Sequence, residues 1–301
     1  MRKGEREVTK KRKIRILVIS LIVLGLIVAG VILTPAPEKH ETIKEAMKDA
    51  VLHNENQIAF LGFEVDPSLV SGYIVTGILL LFALILRIFV IPHFRMIPGK
   101  FQLVIETWVG FFDDLAKGNS PHRNKALGGY LFGAGSYIFV GTMFELFGVQ
   151  AVTTAGHSVS LPAPLANING AMCMGLLSYL FIMSGGIAGN KLGGIGKTLK
   201  EFSLPISMTF RLFGALLSGM LTTELVYYYI TLSFGLPVVV GVLFTVLHAL
   251  IQAYVLTMLT SFYYGEVSEV HPKKSKEERA AEKAAKKAAK EAEKAAKAAG
   301  S

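Results

Sequence analysis

Residues 205–229 read PISMTFRLFGALLSGMLTTELVYYY, an apolar run that is long enough to cross a membrane and yet contains an arginine. Arg211 lies about two turns after Pro205. A charged side chain at bilayer depth costs about 2.5–3.5 kcal/mol on insertion scales, and it normally faces a partner, a cavity or an ion path. The alternative is that the flexible side chain of Arg211 reaches back to the membrane interface, which the nearby start of the helix permits.

The helical phase of this run favours a partner for Arg211 over a side chain that reaches back to the interface. At about 100° per residue, one narrow stripe carries the arginine among small and hydroxyl side chains: Ser207, Arg211, Ala215, Ser218 and Thr222. Lipid gives no reason for such a stripe, whereas the close approach of another helical surface does. Glu224 falls about 220° away from Arg211, on the opposite side of the helix. The pattern predicts a front that contacts a neighbour and a back that carries its own carboxylate.

The composition is that of a polytopic membrane protein. The 301 residues are 52% hydrophobic, with a mean hydropathy of +0.49, and we predict an all-α fold with about six membrane helices. The net charge of +9 is concentrated in the termini and a few loops, so nucleic-acid binding is not predicted. Cys173 is the single cysteine. Metal-ligand spacing, a nucleophile elbow and a cofactor fingerprint are all missing from the sequence, so we expect no metal, no cofactor and no enzyme activity of the chain alone.

Five segments follow one another along the chain. A basic N-terminus, residues 1–15, precedes an apolar run, residues 16–33. We interpret this run as a retained membrane anchor because the apolar cores of signal peptides are shorter, with a cleaved signal peptide as the alternative. Residues 34–67 are polar and acidic, as expected of an external segment, and residues 68–271 form the membrane domain. Residues 272–301, rich in Lys, Ala and Glu, predict a solvated cytoplasmic tail whose excess of Lys can contact anionic lipids.

Hydropathy predicts the spans of the membrane domain at residues 70–91, 130–149 and 167–183, in the Arg211 run, and at residues 237–264. Residues 97–125 carry apolar side chains at helical spacing and predict an amphipathic helix at the cytoplasmic interface. Residues 185–202, GGIAGNKLGGIGKTLKEF, end like a phosphate-binding loop, but Lys191 stands where that motif needs its first glycine. We interpret them as a connecting loop and reject nucleotide binding.

Basic residues set the predicted topology. Lys and Arg occur in the N-terminus, in residues 92–128 and 191–200 and in the tail, whereas the alternate connections have few. The positive-inside rule therefore predicts that both termini are cytoplasmic. The Arg211 helix, taken as residues 203–231, would be about 43 Å long against a bilayer core of about 30 Å. We expect it and the last helix to form a long, strongly tilted hairpin.

Four stretches, in order, resemble one protein family. FRLFGALLSG, around Arg211, is similar to the RLFGNMxAG signature of the a subunits of F-type ATP synthases. IPGKFQLVIE resembles the family's PGKxQxxxE segment, and PLANINGAM is similar to its PxADxNxT motif. LIQAYVLTMLTSFYYGEVSEVH resembles its final helix, including Gln252 and Thr260 and the acidic residues Glu266 and Glu269. The resemblance covers roughly residues 60–271, and four ordered segments are more specific than one RLFG.

The resemblance implies a stationary subunit pressed against a rotating ring of c subunits, each of which carries a membrane carboxylate. Ions, either H⁺ or Na⁺, would enter one aqueous half-channel, ride on the ring and leave through the other, so that ion flow drives ATP synthesis. Arg211 would be the essential arginine between the half-channels, and Gln252 its neighbour on the last helix. Implied partners are the c ring, a b-type peripheral stalk, the soluble ATPase head and the lipid bilayer. The implied location is an energy-transducing membrane, such as the bacterial plasma membrane, with multiple passages.

The chain departs from the family pattern at several polar positions. Ala215 replaces the signature Asn, and Met220 stands where many bacterial members have Glu. Glu224 lies one turn further on at a similar angle, which makes it a displaced carboxylate. On the last helix, Thr245 stands where His or Glu is frequent, and His248 lies one turn before the glutamine.

The remaining polar candidates lie towards the outer ends of their spans: Glu145, which falls where Asn is usual, Asn167, which replaces Asp, together with Asn169, Glu224 and His157. Buried carboxylates in a membrane are functional by default, so we expect Glu224 and Glu145 to line the outer half-channel. For the two Asn residues helix capping is an equal alternative. We interpret His157 as an interface residue, with channel lining as the lesser alternative. For His248, channel lining and a buried position with its hydrogen bonds satisfied are equal alternatives. Ser207 and Ser218 complete the candidate ion pathway.

Two other classes are alternatives. A secondary ion transporter would favour paired repeats or matching broken helices in two halves, a symmetry that the sequence lacks. A non-transporting membrane scaffold would need neither an arginine aligned with small residues nor an acidic lining behind it. Copurification with a ring of small hairpin proteins and a soluble ATPase head distinguishes these classes.

Overall fold

The computed structural model describes residues 18, 19, 21, 22, 25, 29, 58–60, 62–122, 124–154, 156, 158–190, 192–228 and 236–269. At a few helical positions, including Met220 and Glu224, only the backbone is described. Five of the sequence predictions lie wholly or largely outside these residues: the basic N-terminus at 1–15, the anchor at 16–33, the external segment at 34–67, His157 and the tail at 272–301.

The described chain is helical apart from two short hairpins. Its elements in chain order are β1 (Ile58–Phe60), β2 (Phe63–Val65), α1 (Pro67–Ile85), α2 (Lys100–Asn119), α3 (Asn124–Phe144), β3 (Gln150–Val152), β4 (Ser158–Ser160), α4 (Ile168–Asn190), α5 (Leu192–Lys200), α6 (Ser203–Tyr228) and α7 (Leu236–Ser268). A π turn (Leu86–Val90) and a 3-10 turn (Ile91–His93) extend α1, and a 3-10 turn (Glu145–Phe147) ends α3.

The predicted all-α polytopic membrane fold is confirmed. Four helical stretches of the described chain are long and apolar enough to cross a membrane: Pro67–His93, Asn124–Phe147, Ile168–Asn190 and Gly241–Ser268. A fifth span is added if Gly193–Lys200 and Ser203–Gly219, which meet at a bend of 47°, are counted together. With 26 and 33 residues, α6 and α7 are about 39 and 50 Å long, more than the bilayer core of about 30 Å. Their predicted tilt stays a prediction.

The interpretation of residues 185–202 as a connecting loop is wrong. α4 continues to Asn190, and Leu192–Lys200 form the separate helix α5. Gly194 of α5 packs closely on α4, because a Cβ built on it would collide with the backbone of Gly186. Two basic side chains, Lys197 and Lys200, occupy the last turn of α5, where their positive charges interact favourably with the negative end of the helix dipole.

The two hairpins were not predicted. β1 pairs with β2 and β3 pairs with β4, both antiparallel. Gly62 (φ 85°) lies in the first turn and Gly156 (φ 82°) in the second, and both adopt the left-handed conformation that favours glycine. Side chains from both hairpins pack on the apolar residues Val75 and Phe144 of α1 and α3, so they cover one end of the bundle.

The core lies where α2, α3, α4, α6 and α7 meet. Its helices approach closely at glycines, as is usual between membrane helices. A Cβ on Gly185 would overlap the ring of Tyr264, and one on Gly189 would overlap the backbone of Ser268, which brings the ends of α4 and α7 together. Two side-chain hydrogen bonds of Asn190, to the carbonyl oxygens of Val267 (3.0 Å) and Glu269 (2.8 Å), fix this junction.

α2 is a helix, as predicted, and packs along α3. Trp108 Nε1 donates a hydrogen bond to Ser136 Oγ at 3.0 Å. On its exposed side the carboxylate of Asp113 accepts from Lys117 and raises the pKa of that lysine. At its start, Gln102 bonds both the backbone N–H and the carbonyl of Arg95, so the PGKxQ segment has a structural role in the turn that joins α1 to α2.

Candidate ion pathway

One face of α6 is buried within the chain. Leu204, Met208, Leu212 and Leu216 are each at most 6% exposed. Thr209 is buried beside them, and its hydroxyl donates to the carbonyl of Pro205 at 2.8 Å. On α4, a Cβ added to Gly175 would lie 2.7 Å from Thr209 Oγ1, so the backbones of α4 and α6 are in close contact here.

The adjacent face of α6 carries the Arg211 stripe, defined as Ser207, Arg211, Ala215, Ser218 and Thr222. Ser207, Arg211 and Ser218 are exposed, and the other two are half-buried. Thr222 Oγ1 donates to the carbonyl of Ser218 at 2.8 Å. Within the described part of the chain, Arg211 forms no ion pair. Three of the five residues of the predicted stripe are therefore exposed, and the described chain partly covers the other two.

Gln252 lies on α7, on the side that faces the core. It is 7% exposed, and its Oε1 accepts no hydrogen bond from any described residue. The contact between α6 and α7 shows what lies opposite: a Cβ added to Gly219 would be 3.4 Å from Nδ1 of His248. Since the start of α6 and the end of α7 both contact α4, the two helices run in opposite directions. Four residues back along α6 from Gly219 is Ala215, and four residues forward along α7 from His248 is Gln252, so these two lie opposite each other. Ala215 is one turn from Arg211.

His248 occupies the interface between α6 and α7. Its side chain is half-buried, and its ring lies 5.8 Å from that of Phe244 in a tilted arrangement. Because it abuts the backbone of α6 at Gly219, the imidazole stands on the same interface as Gln252, one turn away along α7. The sequence prediction that these two side chains share a helix face agrees with this placement.

Of the two predicted carboxylates, Glu145 is the one whose side chain is described. It opens the 3-10 turn at the end of α3, is half-buried, and lies in a turn that contacts α7. Glu224 lies in the last turns of α6, but its side chain, like that of Met220, is outside the described part. Both residues therefore lie at or near the C-terminal ends of their helices.

Asn167 is a capping residue. Its Oδ1 accepts from the backbone N–H of Asn169 at 2.7 Å, and its carbonyl accepts from Ala171, at the start of α4. Its Nδ2 donates to Asp66 Oδ2 at 2.9 Å, while Asp66 Oδ1 accepts from the N–H of Ser68 at the start of α1. One amide and one carboxylate thus join the beginnings of two helices. Asn169 is exposed next to this junction.

Buried hydroxyl groups on α7 were missed as a group. Thr257, Thr260, Ser261 and Ser268 are all fully buried. Thr257 and Thr260 donate to carbonyls one turn back, and Ser261 donates to Leu115 of α2 at 3.0 Å. Their recurrence at spacings of three and four residues was the available signal for a polar face that packs inside the protein.

These features define a class: a multi-pass helical membrane protein with one arginine on an exposed small-residue face and buried polar groups on the adjoining helix. A sequence model described as "ATP synthase A chain" matches residues 71–265. The "ATP synthase subunit a" of Cereibacter sphaeroides (strain ATCC 17025 / ATH 2.4.3) is 23% identical over 189 residues, which are 58% of this chain and 72% of that protein. The chain belongs to the ATP synthase A chain family. Membership makes it an ion-channel subunit of the membrane sector of an ATP synthase, with no catalytic part of its own.

Proposed function

We propose that the chain is the stationary subunit that loads and unloads ions on a rotating c ring, and that the Arg211 stripe is its contact with the ring. The observation that carries this proposal is the difference between the two faces of α6. The face with Met208 and Leu212 is buried against α4, whereas the face with Arg211 is exposed. A cation among small side chains at membrane depth is suited to a close polar partner and poorly suited to lipid.

The charge of Arg211 acts on each carboxylate that the ring brings past. Two unit charges 4 Å apart attract by about 4 kcal/mol at an effective dielectric constant of 20. This attraction favours the ionised carboxylate, so the ring releases its ion before it passes Arg211, and a direct leak between the half-channels is blocked. An arginine keeps its charge in a buried site, whereas a lysine deprotonates more readily there.

Glu224 and Glu145 form the outer access route in this proposal. Glu224 lies about 220° from Arg211 around α6, behind the stripe, and Glu145 lies in a turn at the end of α3 that contacts α7. His248 and Gln252, at the interface of α6 and α7, then relay the ion towards the stripe. The buried Gln252 Oε1 is available to accept a hydrogen bond from water or from a protonated ring carboxyl group. Ser207 and Ser218 flank Arg211 at the contact, and Asn167 and Asn169 act at the outer surface.

The wider assembly follows from the resemblance. We propose a b-type peripheral stalk that holds the chain still against the ring, and a soluble ATPase head that is reached through the complex. The membrane is an energy-transducing one, such as the bacterial plasma membrane, with both chain termini on the cytoplasmic side. The transported ion, H⁺ or Na⁺, is selected mainly by the ring.

The test replaces Arg211 in the assembled complex. Arg211→Ala is expected to reduce ion-driven ATP synthesis in reconstituted vesicles to background, because both the discharge of ring carboxylates and the barrier between half-channels are lost. Arg87→Ala is the matched control, since Arg87 is also an exposed arginine of a helical span but lies in the π turn that extends α1. The control should assemble and synthesise ATP like the parent. Near-normal synthesis by an assembled Arg211→Ala complex would refute the proposal.

A further inference from the structure

α7 is packed against the rest of the chain along its second part and much less along its first. Among the residues described between Gly241 and His248 none is buried, whereas buried side chains recur from Ala249 to Ser268. His248 and Gln252, the two candidate relay residues of α7, lie on either side of this change. Their placement against α6 therefore depends on what holds the far end of α7.

The far end of α7 is bound by a side chain from α4. The amide nitrogen of Asn190 donates to the carbonyl oxygens of Val267 at 3.0 Å and of Glu269 at 2.8 Å. The last carbonyl groups of a helix have no partner within it, so a side chain from another helix can satisfy them. The two acceptors belong to residues about 200° apart around the helix axis. Because one amide group bridges them, a rotation of α7 or a shift by one residue would break both bonds.

The end of α2 holds the same turns of α7. Nε2 of His122 lies at hydrogen-bond distance, 2.9 Å, from Oγ of Ser268. A Cβ added to Gly265 would collide with the carbonyl oxygen of Asn119, so the two backbones are in contact. The last turns of α7 are thus held by α2 and α4 together. The bonds of Asn190 join them to α4, the helix that also packs on α6.

A small movement at this end becomes larger at the relay residues. About 24 Å of helix separate Ser268 from Gln252. A tilt of about 5° around the held end would move Gln252 by about 2 Å, and a shift by one residue would turn its side chain by about 100°. A misplacement of 1 Å can cost roughly 10²-fold in the rate of a transfer step. The hold on the end of α7 is therefore expected to matter for ion transfer.

We propose that Asn190 is a positioning residue for ion transfer. Its two hydrogen bonds fix the rotation and tilt of α7, and they thereby hold His248 and Gln252 at the interface with α6. The inference rests on the relay function proposed above for these two residues. Asn190 acts through α7 from the opposite end of the helix and does not contact the ion at the relay.

The geometric test measures the contact between α6 and α7 in the assembled complex. A Cβ added to Gly219 lies 3.4 Å from Nδ1 of His248, so the Gly219→Cys, His248→Cys pair, in a Cys173→Ser background, should form a disulfide on oxidation with copper phenanthroline. Asn190→Asp keeps the shape, removes both donors and places a negative charge against two carbonyl oxygens. It should lower the disulfide yield at least threefold, and Asn190→Ala, which removes the donors without adding a charge, should lower it as well. Gly214→Cys replaces Gly219→Cys in the negative control, because a Cβ there meets open space.

The functional test measures proton flux for each assembled complex, with the native residues at 219 and 248. Asn190→Asp should lower this flux severalfold, and Asn190→Gln, which keeps the donors on a longer side chain, should restore part of it. Asn124→Asp is the matched control, since it makes the same exchange at the start of α3, and it should conduct like the parent. Flux for each complex is the readout because a purely structural role would lower the amount of complex or its unfolding temperature and leave this flux unchanged.

The two measurements together decide the proposal. An unchanged disulfide yield in Asn190→Asp would show that Asn190 does not position α7. A lower yield with unchanged flux would show that the position of α7 does not limit ion transfer, which also overturns the proposal. A lower unfolding temperature with both readouts unchanged would reduce Asn190 to a structural cap. Failure of the proposed function appears separately, as near-normal ATP synthesis by Arg211→Ala, whatever the disulfide yield.

Discussion

α6 and α7 are neighbouring helices that both carry polar residues into the membrane, and the structure treats the two sets differently. On α7 the hydroxyls of Thr257, Thr260 and Ser261 are fully buried and bonded within the chain. On α6, by contrast, the polar residues Ser207, Arg211 and Ser218 are exposed, while Leu204, Met208, Leu212 and Leu216 are buried. The polar groups of these two helices are thus placed differently, inside the protein on α7 and at its surface on α6.

This difference between α6 and α7 indicates which polar residues require a partner outside the chain. A polar group in a membrane must be satisfied by its own protein, by water or by another subunit. The buried hydroxyls of Thr257, Thr260 and Ser261 on α7 already donate to carbonyl acceptors, so they need no partner outside the chain. Arg211 has no ion pair in the described chain, and the residues beside it are too small to shield it. This difference supports the proposal that the contact surface lies on α6.

The largest effect is expected from filling the Arg211 stripe. Ser218→Leu adds a bulky side chain to an exposed small position and should separate α6 from the ring, with ATP synthesis lowered by about tenfold or more, since misplacement by 1 Å can cost roughly 10²-fold. Gly77→Leu on α1, where an added Cβ meets open space, is the matched control and should leave synthesis unchanged. Coupled ATP synthesis and assembly are measured in the same vesicles. Equal losses in both variants would remove the distinction between the stripe and a lipid-facing surface.

A smaller, partial loss of ion flux is expected when Glu224, behind the stripe on α6, is replaced. Glu224→Gln keeps size and hydrogen bonding but cannot release a proton, so ion flux through the assembled membrane sector should fall severalfold. The Met220→Glu, Glu224→Gln double variant moves the carboxylate back by one turn at a similar helical angle, and should restore part of the flux.

Flux is measured as proton uptake across pH 6–9. If Glu224→Gln conducts like the parent throughout this range, the carboxylate has no relay role, and the outer route must pass Glu145 alone or avoid both.

The smallest effect is expected on α7. Thr257→Val removes a fully buried hydroxyl whose partner is the carbonyl of Ala253, and a hydrogen bond between groups inside a membrane protein is worth about 0.6 kcal/mol on average. Ion flux should be unchanged and thermal stability only slightly lowered, as followed by the unfolding of the purified complex. A loss of flux comparable with that of Ser218→Leu would show that the buried face of α7 also carries ions.

The sequence predicted what depends on hydropathy and helical phase. The spans at 70–91, 130–149 and 167–183 agree with the helices observed, because their apolar runs are long and uninterrupted. The stripe around Arg211 was also predicted, since it needs only the angle of 100° per residue.

What the sequence did not predict depends on contacts between distant segments. Residues 185–202 were interpreted as a connecting loop, whereas α5 forms there and Gly194 packs closely against the backbone of Gly186. The role of Asn167 was left open between capping and lining; its bonds to Asp66, about a hundred residues earlier, and to the N–H of Asn169 show the cap, and lining stays a prediction. The burial of Gln252 likewise follows from how α7 packs, which one helix alone does not reveal.

The most direct test of the central claim is a cross-link between the stripe and the ring. In a Cys173→Ser background, Ser218→Cys is paired with cysteines placed along the outer helix of the ring subunit, and disulfides are scored on gels of the whole complex. Leu81→Cys, at a lipid-exposed position of α1 (59% exposed), is the control. The account predicts products from position 218 with ring positions near the carboxylate, and none from position 81. Products from position 81 at similar yield, or none from position 218 in an assembled and active complex, would contradict it.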